Sequence, residues 1–184
     1  MRFDPLRHHR ESVRLFGWDY SQSALYYITI VSKDREPDFG KIVNNTIQLS
    51  PLGIAVETCW KQIPEHHAGV SLDQYVIMPN HLHGIVIVGN GIYPGRDVQL
   101  NVPTKTIPHR LSPVKGSLSV IVRTFKAAVT TWARRNGHGY FAWQPRFHDH
   151  IIRDEEDLAR IREYIRENPL NWATDDENPG KKSG

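Results

Sequence analysis

Nothing in the chain restricts its fold as sharply as Tyr75-Val-Ile-Met-Pro-Asn-His-Leu-His-Gly-Ile-Val-Ile-Val88. Two apolar, β-branched runs flank His81-Leu82-His83. Side chains alternate between the faces of a strand, so His81 and His83 point one way and Leu82 the other. Pro79 and Asn80 interrupt the run just ahead of the pair, which predicts a tight turn between two antiparallel strands. Gly84, lacking a side chain, is expected to let backbone, a metal or a phosphate come close. A His-x-His pair also suits an ordinary polar strand face, satisfied by water or carboxylates. What separates the two readings lies downstream.

The same rules applied along the chain predict a mixed α and β domain. Residues 1–20 are polar, with Arg2, Arg7, Arg10 and Arg14, and read as an N-terminal arm. Ala24–Val31 is β-branched and aromatic throughout, a strand pattern. Residues 40–49 read as a hairpin in which Asn44 and Asn45 supply positive-φ turn positions. Ser50 and Pro51 are an N-cap and first helical residue, followed by Leu52, Val56, Cys59, Trp60 and Ile63 at helical spacing. Val70–Met78 and Leu82–Val88 form the strand pair around the histidines. Residues 89–114 have no sustained periodicity and read as a long surface loop. A helix over about 115–135 places Leu118, Ile121, Val122, Phe125, Val129 and Trp132 on its inner stripe, and Arg146–Ile152 is extended. From Asn171 the chain becomes acidic and rich in Gly and Pro, so 21–172 is expected to be the folded domain and 173–184 a flexible tail.

Charge and composition narrow the function. The chain has 184 residues and a formal charge of +3. Between Val98 and His148 there is no acid, yet the segment carries Lys105, Arg110, Lys115, Arg123, Lys126, Arg134, Arg135 and Arg146. That is +8 in a chain of net +3, leaving −5 for the remainder. So long an acid-free basic stretch raises the local potential and favours a polyanion, nucleic acid first. No run of about 18 apolar residues predicts a membrane span, and the charged start is unlike a secretory signal. The single cysteine, Cys59, cannot form an internal disulfide and fits a small core residue, so a reducing cytoplasm is the expected compartment.

The last predicted helix carries the second constellation. Asp154 is a natural N-cap, and Glu155, Glu156 and Asp157 complement the positive end of the helix dipole. Pro169 disfavours helical geometry at Asn168 and ends the helix there. Leu158, Ile161 and Ile165 form its apolar stripe, with Tyr164 and Asn168, four apart, along one edge. Taken alone, a border tyrosine with a wet hydroxyl and an Asn-Pro helix end would be unremarkable.

Together these stretches resemble the HUH single-tyrosine DNA transposases, most closely the REP-associated tyrosine transposases and related insertion-sequence enzymes. The resemblance spans about Leu25 to Trp172. It rests on Val76-Ile-Met-Pro-Asn-His-Leu-His-Gly84, Arg123-Thr-Phe-Lys126, Trp143-Gln-Pro-Arg-Phe-His-Asp-His-Ile-Ile-Arg153 and Tyr164-Ile-Arg-Glu-Asn-Pro169. It implies His81 and His83 as metal ligands with Asn168 as a third, where some insertion-sequence members carry Gln, and Tyr164 as the nucleophile. The implied cofactor is a divalent metal, Mg²⁺ or Mn²⁺, and two nitrogen ligands favour Mn²⁺ at least equally. The implied substrate is single-stranded DNA with hairpins, cut and rejoined through a 5′-phosphotyrosine link. Arg123, Lys126, Arg134 and Arg135 are the expected DNA-backbone contacts. His148 and His150, a rival alternate pair, are expected to support the metal ligands or contact DNA. Both routes imply an α+β fold: an antiparallel sheet of four or five strands with packed helices and a ferredoxin-like core. Relatives of this type include homodimers that share sites, which leaves open whether Tyr164 acts in cis or in trans. Two alternatives stand beside this reading: a catalytically silent module that binds single-stranded nucleic acid, and a metal-dependent nuclease using activated water.

Overall fold

The computed structural model describes residues 20–89 and 116–181. The expected arm (apart from Tyr20), the 89–114 loop (apart from Gly89) and the cations Lys105, Arg110 and Lys115 lie outside the described residues. The strands are β1 (Ala24–Val31), β2 (Gly40–Val43), β3 (Thr46–Leu49), β4 (Val70–Ile77), β5 (His81–Val88) and β6 (His148–Ile152). The helices are α1 (Pro51–Lys61), α2 (Ile63–His66), α3 (Leu118–Arg135) and α4 (Glu155–Glu167). No helix among the described residues is long and apolar enough to cross a membrane.

The main sheet is four-stranded in the order β4-β5-β1-β6, and its neighbouring pairs are all antiparallel. With α1 between β1 and β4, and α3 between β5 and β6, this is the ferredoxin-like arrangement expected from the sequence. β2 and β3 form a separate ribbon whose turn has Asn44 at φ 50° and Asn45 at φ 60°. Short amide side chains tolerate that left-handed region better than most. Ser50 caps α1 as expected, its Oγ accepting from Gly53 N at 3.0 Å.

Strand alternation divides the sheet into two apolar faces. Tyr26, Ile28, Ile30, Leu82 and Val86 pack against Trp60 of α1 and against Ile121, Phe125 and Val129 of α3. Leu25, Tyr27, Ile85, Ile87 and Ile152 pack on the other side against Leu158, Ile161 and Ile165 of α4. Full burial of such a side chain contributes about 1.5–3 kcal/mol, so the α4 stripe alone holds that helix firmly over the sheet. The result is three layers, with α4 covering the face toward which His83 points.

Two expectations change. Gly84 does not open the histidine face, because residues 83 and 84 point to opposite sides of β5. A Cβ there would lie 2.4 Å from Trp60 Cζ2, so the missing side chain makes room for an indole in the core. The described part of the supposed tail, largely exposed, is nevertheless anchored through Glu177. Trp172–Thr174 forms a 3₁₀ turn, and Glu177 is 6% exposed. Acidic and Gly/Pro composition suggested solvation, but specific partners across the fold hold this segment in place.

Candidate active site

His81 and His83 are 0% and 1% exposed, on a central strand. Their Nε2 atoms face each other at 3.0 Å. Two ligands each about 2.1 Å from one ion and at right angles about it would stand roughly 3.0 Å apart. Behind this pair, His81 Nδ1 lies 2.8 Å from Asn80 Oδ1. His83 Nδ1 lies 2.8 Å from the Tyr27 hydroxyl and 2.9 Å from Thr29 Oγ1. Cross-strand register explains the company: Thr29 is opposite His83, and Tyr27 sits two residues away on the same face.

The C-terminal segment closes the site with a residue that sequence reasoning missed. Asp175 offers a carboxylate oxygen, and His81, His83 and Asp175 place one ligand atom each within 4.8 Å of one another, a set able to hold a metal ion. The Trp172 ring lies over His81 with centroids 6.0 Å apart. Only the acidic character of Asp175-Asp176-Glu177 marked this stretch, and nothing in its spacing tied it to the histidines.

Helix α4 brings the phenol to the same place. Asp154 caps the helix, accepting at Oδ1 from Asp157 N at 2.8 Å. Tyr164 has its ring centroid 5.3 Å from that of His83 and 6.3 Å from that of Tyr27. Tyrosine and histidine pair thus meet within a single chain. The Tyr164 hydroxyl is held well above the usual tyrosine range, by burial first and then by the Asp175 charge, with Asp176 adding to it. Hydrogen bonds from Asn168 and Tyr27 favour the ionised form but do not overcome this. Burial likewise raises Tyr27, helped by Tyr164 and Asp175 and opposed by a hydrogen bond from Thr29.

Asn168 is 1% exposed, and its Oδ1 has no hydrogen-bond partner among the described residues. Leaving a buried acceptor unpaired costs about 1–3 kcal/mol, and such an atom invites a missing partner. His81, His83 and Asp175 supply two imidazole nitrogens and a carboxylate oxygen, so a carboxylate joins the two histidines expected from sequence. The residues therefore fit a bound divalent ion.

The remaining predicted residues divide. His150 Nε2 lies 2.7 Å from Asp157 Oδ2, and Arg160 Nη2 donates to the other oxygen of Asp157 at 2.6 Å. Burial acts to raise the Asp157 carboxyl, but these two partners outweigh it and hold it below the usual range. His150 thus fastens β6 to α4, and His148 is opposite Thr29 on the histidine face. Arg123, Arg134 and Arg135 are exposed along α3. Lys126 is differently placed. Its Nζ donates to the carbonyls of Gln144 and Arg146 at 2.8 and 2.9 Å, and burial lowers its pKa to about 8. It clips the 143–146 segment to α3 through backbone carbonyls. A groove lined by Lys33, Asp34, Arg35, Gln144, Pro145 and Arg146 brings Arg146 of the basic stretch beside Lys33 and Arg35, which the sequence reading did not single out.

Comparison with known proteins follows the same lines. No protein-family model matches the chain. A Haemophilus influenzae protein called "Putative REP-associated tyrosine transposase" is 26% identical over 152 residues, covering 83% of this chain and 73% of that one. The solved structure of a REP-associated tyrosine transposase bound to a REP hairpin superposes with a TM-score of 0.53 at 16% identity, over 90% of this chain and 73% of that one. This structural likeness is one of fold. An uncharacterized protein of Haemophilus influenzae is 40% identical over 168 residues, 91% of this chain and 92% of its own length. Identity at that level over nearly the full length of both shows that the chain belongs to the same family as that Haemophilus influenzae protein.

Proposed function

We propose that the chain is a metal-dependent single-stranded DNA transposase of the REP-associated tyrosine type. The observation that carries this is the meeting of Tyr164 with His81, His83 and Asp175 on one face of the sheet. A silent binding module would have no use for a buried phenol beside a ready metal site. The weak sequence match to a REP-associated transposase and the shared fold lend support.

His81, His83 and Asp175, with Asn168 Oδ1 as a further donor, would hold Mn²⁺ or Mg²⁺. Such an ion supplies Lewis-acid polarisation of a phosphate oxygen and offsets the negative charge around Tyr164. Tyr164 Oη attacks the phosphorus, the bond to the 3′ oxygen breaks, and the phenol proton leaves as the 3′ oxygen gains one. The product is a 5′-phosphotyrosine and a free 3′-hydroxyl, and because the link conserves the phosphoester, reversal can rejoin strands without another energy source. Asn168 and Tyr27 donate to the phenolate form and orient it for attack. The α4 apolar stripe keeps this geometry and excludes water beneath it. Exposed Arg123, Arg134 and Arg135 of α3 would contact DNA phosphates.

The test is incubation of hairpin-bearing single-stranded DNA with the chain and Mn²⁺, followed by denaturing electrophoresis. The wild type is expected to give a denaturation-resistant adduct and Tyr164→Phe none. Cleavage that persists undiminished in Tyr164→Phe would replace this reading with a water-activating nuclease. Tight binding without any cleavage would favour the silent module.

A further inference from the structure

We infer that Asn80 is a positioning residue that locks His81 in the one neutral tautomer able to bind a cation at Nε2. The inference rests on reading His81 and His83 as the metal-facing pair, and it concerns how that pair is prepared.

Asn80 is 0% exposed, and every polar atom of its side chain is engaged. Nδ2 donates to the carbonyl oxygens of Arg35 at 2.9 Å and Glu177 at 2.7 Å. Carbonyl oxygens only accept, so the NH₂ end must face them; the flipped amide would set oxygen against oxygen twice. Oδ1 is therefore the atom 2.8 Å from His81 Nδ1. An amide oxygen cannot donate, so Nδ1 carries the hydrogen. In a neutral imidazole this leaves Nε2 bare, aimed into the 3.0 Å gap toward His83.

His83 is held otherwise. Its Nδ1 partners are the hydroxyls of Tyr27 and Thr29, each able to donate or accept. His83 can thus hold its hydrogen on either nitrogen as the site fills, while His81 stays fixed. One ligand is locked and the other adaptable.

The lock draws on remote segments. Asp34 and Arg35 sit at φ 57° and 59°, a left-handed pair uncommon for residues with side chains, and the Arg35 carbonyl reaches Asn80. Arg35 Nε also donates to Glu177 Oε2 at 2.6 Å, holding the C-terminal segment whose carbonyl completes the grip. Groups that orient a ligating histidine typically influence metal affinity by about 10–100-fold.

The experiment uses the full chain without DNA. Long-range ¹H–¹⁵N NMR of ¹⁵N-histidine-labelled wild type is expected to show His81 protonated at Nδ1 and bare at Nε2. Mn²⁺ affinity, read from the electron paramagnetic resonance of free Mn²⁺, is expected to fall about 10–100-fold in Asn80→Ala. His81 protonated at Nε2 in the wild type, or folded Asn80→Ala with wild-type affinity, would overturn the inference. The wild-type tautomer decides the matter should Asn80→Ala not fold. A chain that passes both tests but forms no DNA adduct overturns the transposase reading alone, and a wild type that takes up no Mn²⁺ overturns both.

Discussion

At the scale of the residue, Tyr164 is kept protonated by burial and by the Asp175 carboxylate. Tyr27, beside it, is raised mainly by burial. Unfolded tyrosine ionises near pH 10. Above that pH the folded chain therefore holds more protons than the unfolded one, and stability falls as pH rises. Urea midpoints measured from pH 8 upward are expected to drop above about pH 10, less steeply in Tyr164→Phe. An equal drop in the variant would show that Tyr164 does not contribute. Asp175 also bears on the cation, and Asp175→Asn is expected to weaken Mn²⁺ binding by about tenfold or more, measured by calorimetry. Unchanged affinity would remove Asp175 from the ligand set. The histidine pair was legible because a period of two and a Pro-Asn turn are local signals. Asp175 was not, because its position depends on Trp172 against His81 and on Glu177 reaching Arg35 and Asn80. Contacts that span most of the chain leave no trace in spacing.

Elements determine whether those residues can meet. β1 and β5 read clearly, since runs rich in β-branched and aromatic residues such as 26–31 and 85–88 have few other ways to be buried. Helix α4 read equally well from Asp154 and its apolar stripe, and it ends at Glu167 as expected, although Asn168 keeps helical dihedrals despite Pro169. What sequence could not give was the direction of each face. Gly84 looked like an opening toward the histidines, yet its vacancy serves Trp60 on the far side. Lys126 looked like a DNA contact by charge alone, whereas the fold turns its ammonium onto two carbonyls. Gly84→Ala should overpack the layer between β5 and α1. It is expected to cost about 1–3 kcal/mol in urea unfolding, with the His81 and His83 face left unaltered. Wild-type stability in that variant would mean that Trp60 moves aside at no cost.

For the whole molecule, the sheet order places the catalytic candidates on the α4 face while α3 carries an exposed line of arginines. Binding to single-stranded DNA should therefore weaken with salt. Replacing Arg123, Arg134 and Arg135 with Gln is expected to flatten the log-affinity against log-salt slope by about 0.7 for each arginine that contacts a phosphate. An unchanged slope would direct the strand elsewhere, with the groove of Lys33, Arg35 and Arg146 next in line. Such a path would also run beside Arg35, which anchors the C-terminal segment.

The central claim is a covalent one, that a single phenol takes the 5′ end of a cut strand. The most direct measurement is mass spectrometry of the adduct after digestion of both protein and DNA. A nucleotide phosphate attached to Tyr164, and no other residue, is the expected result. Cut DNA with every tyrosine unmodified, or a phosphate carried by a different side chain, would contradict it.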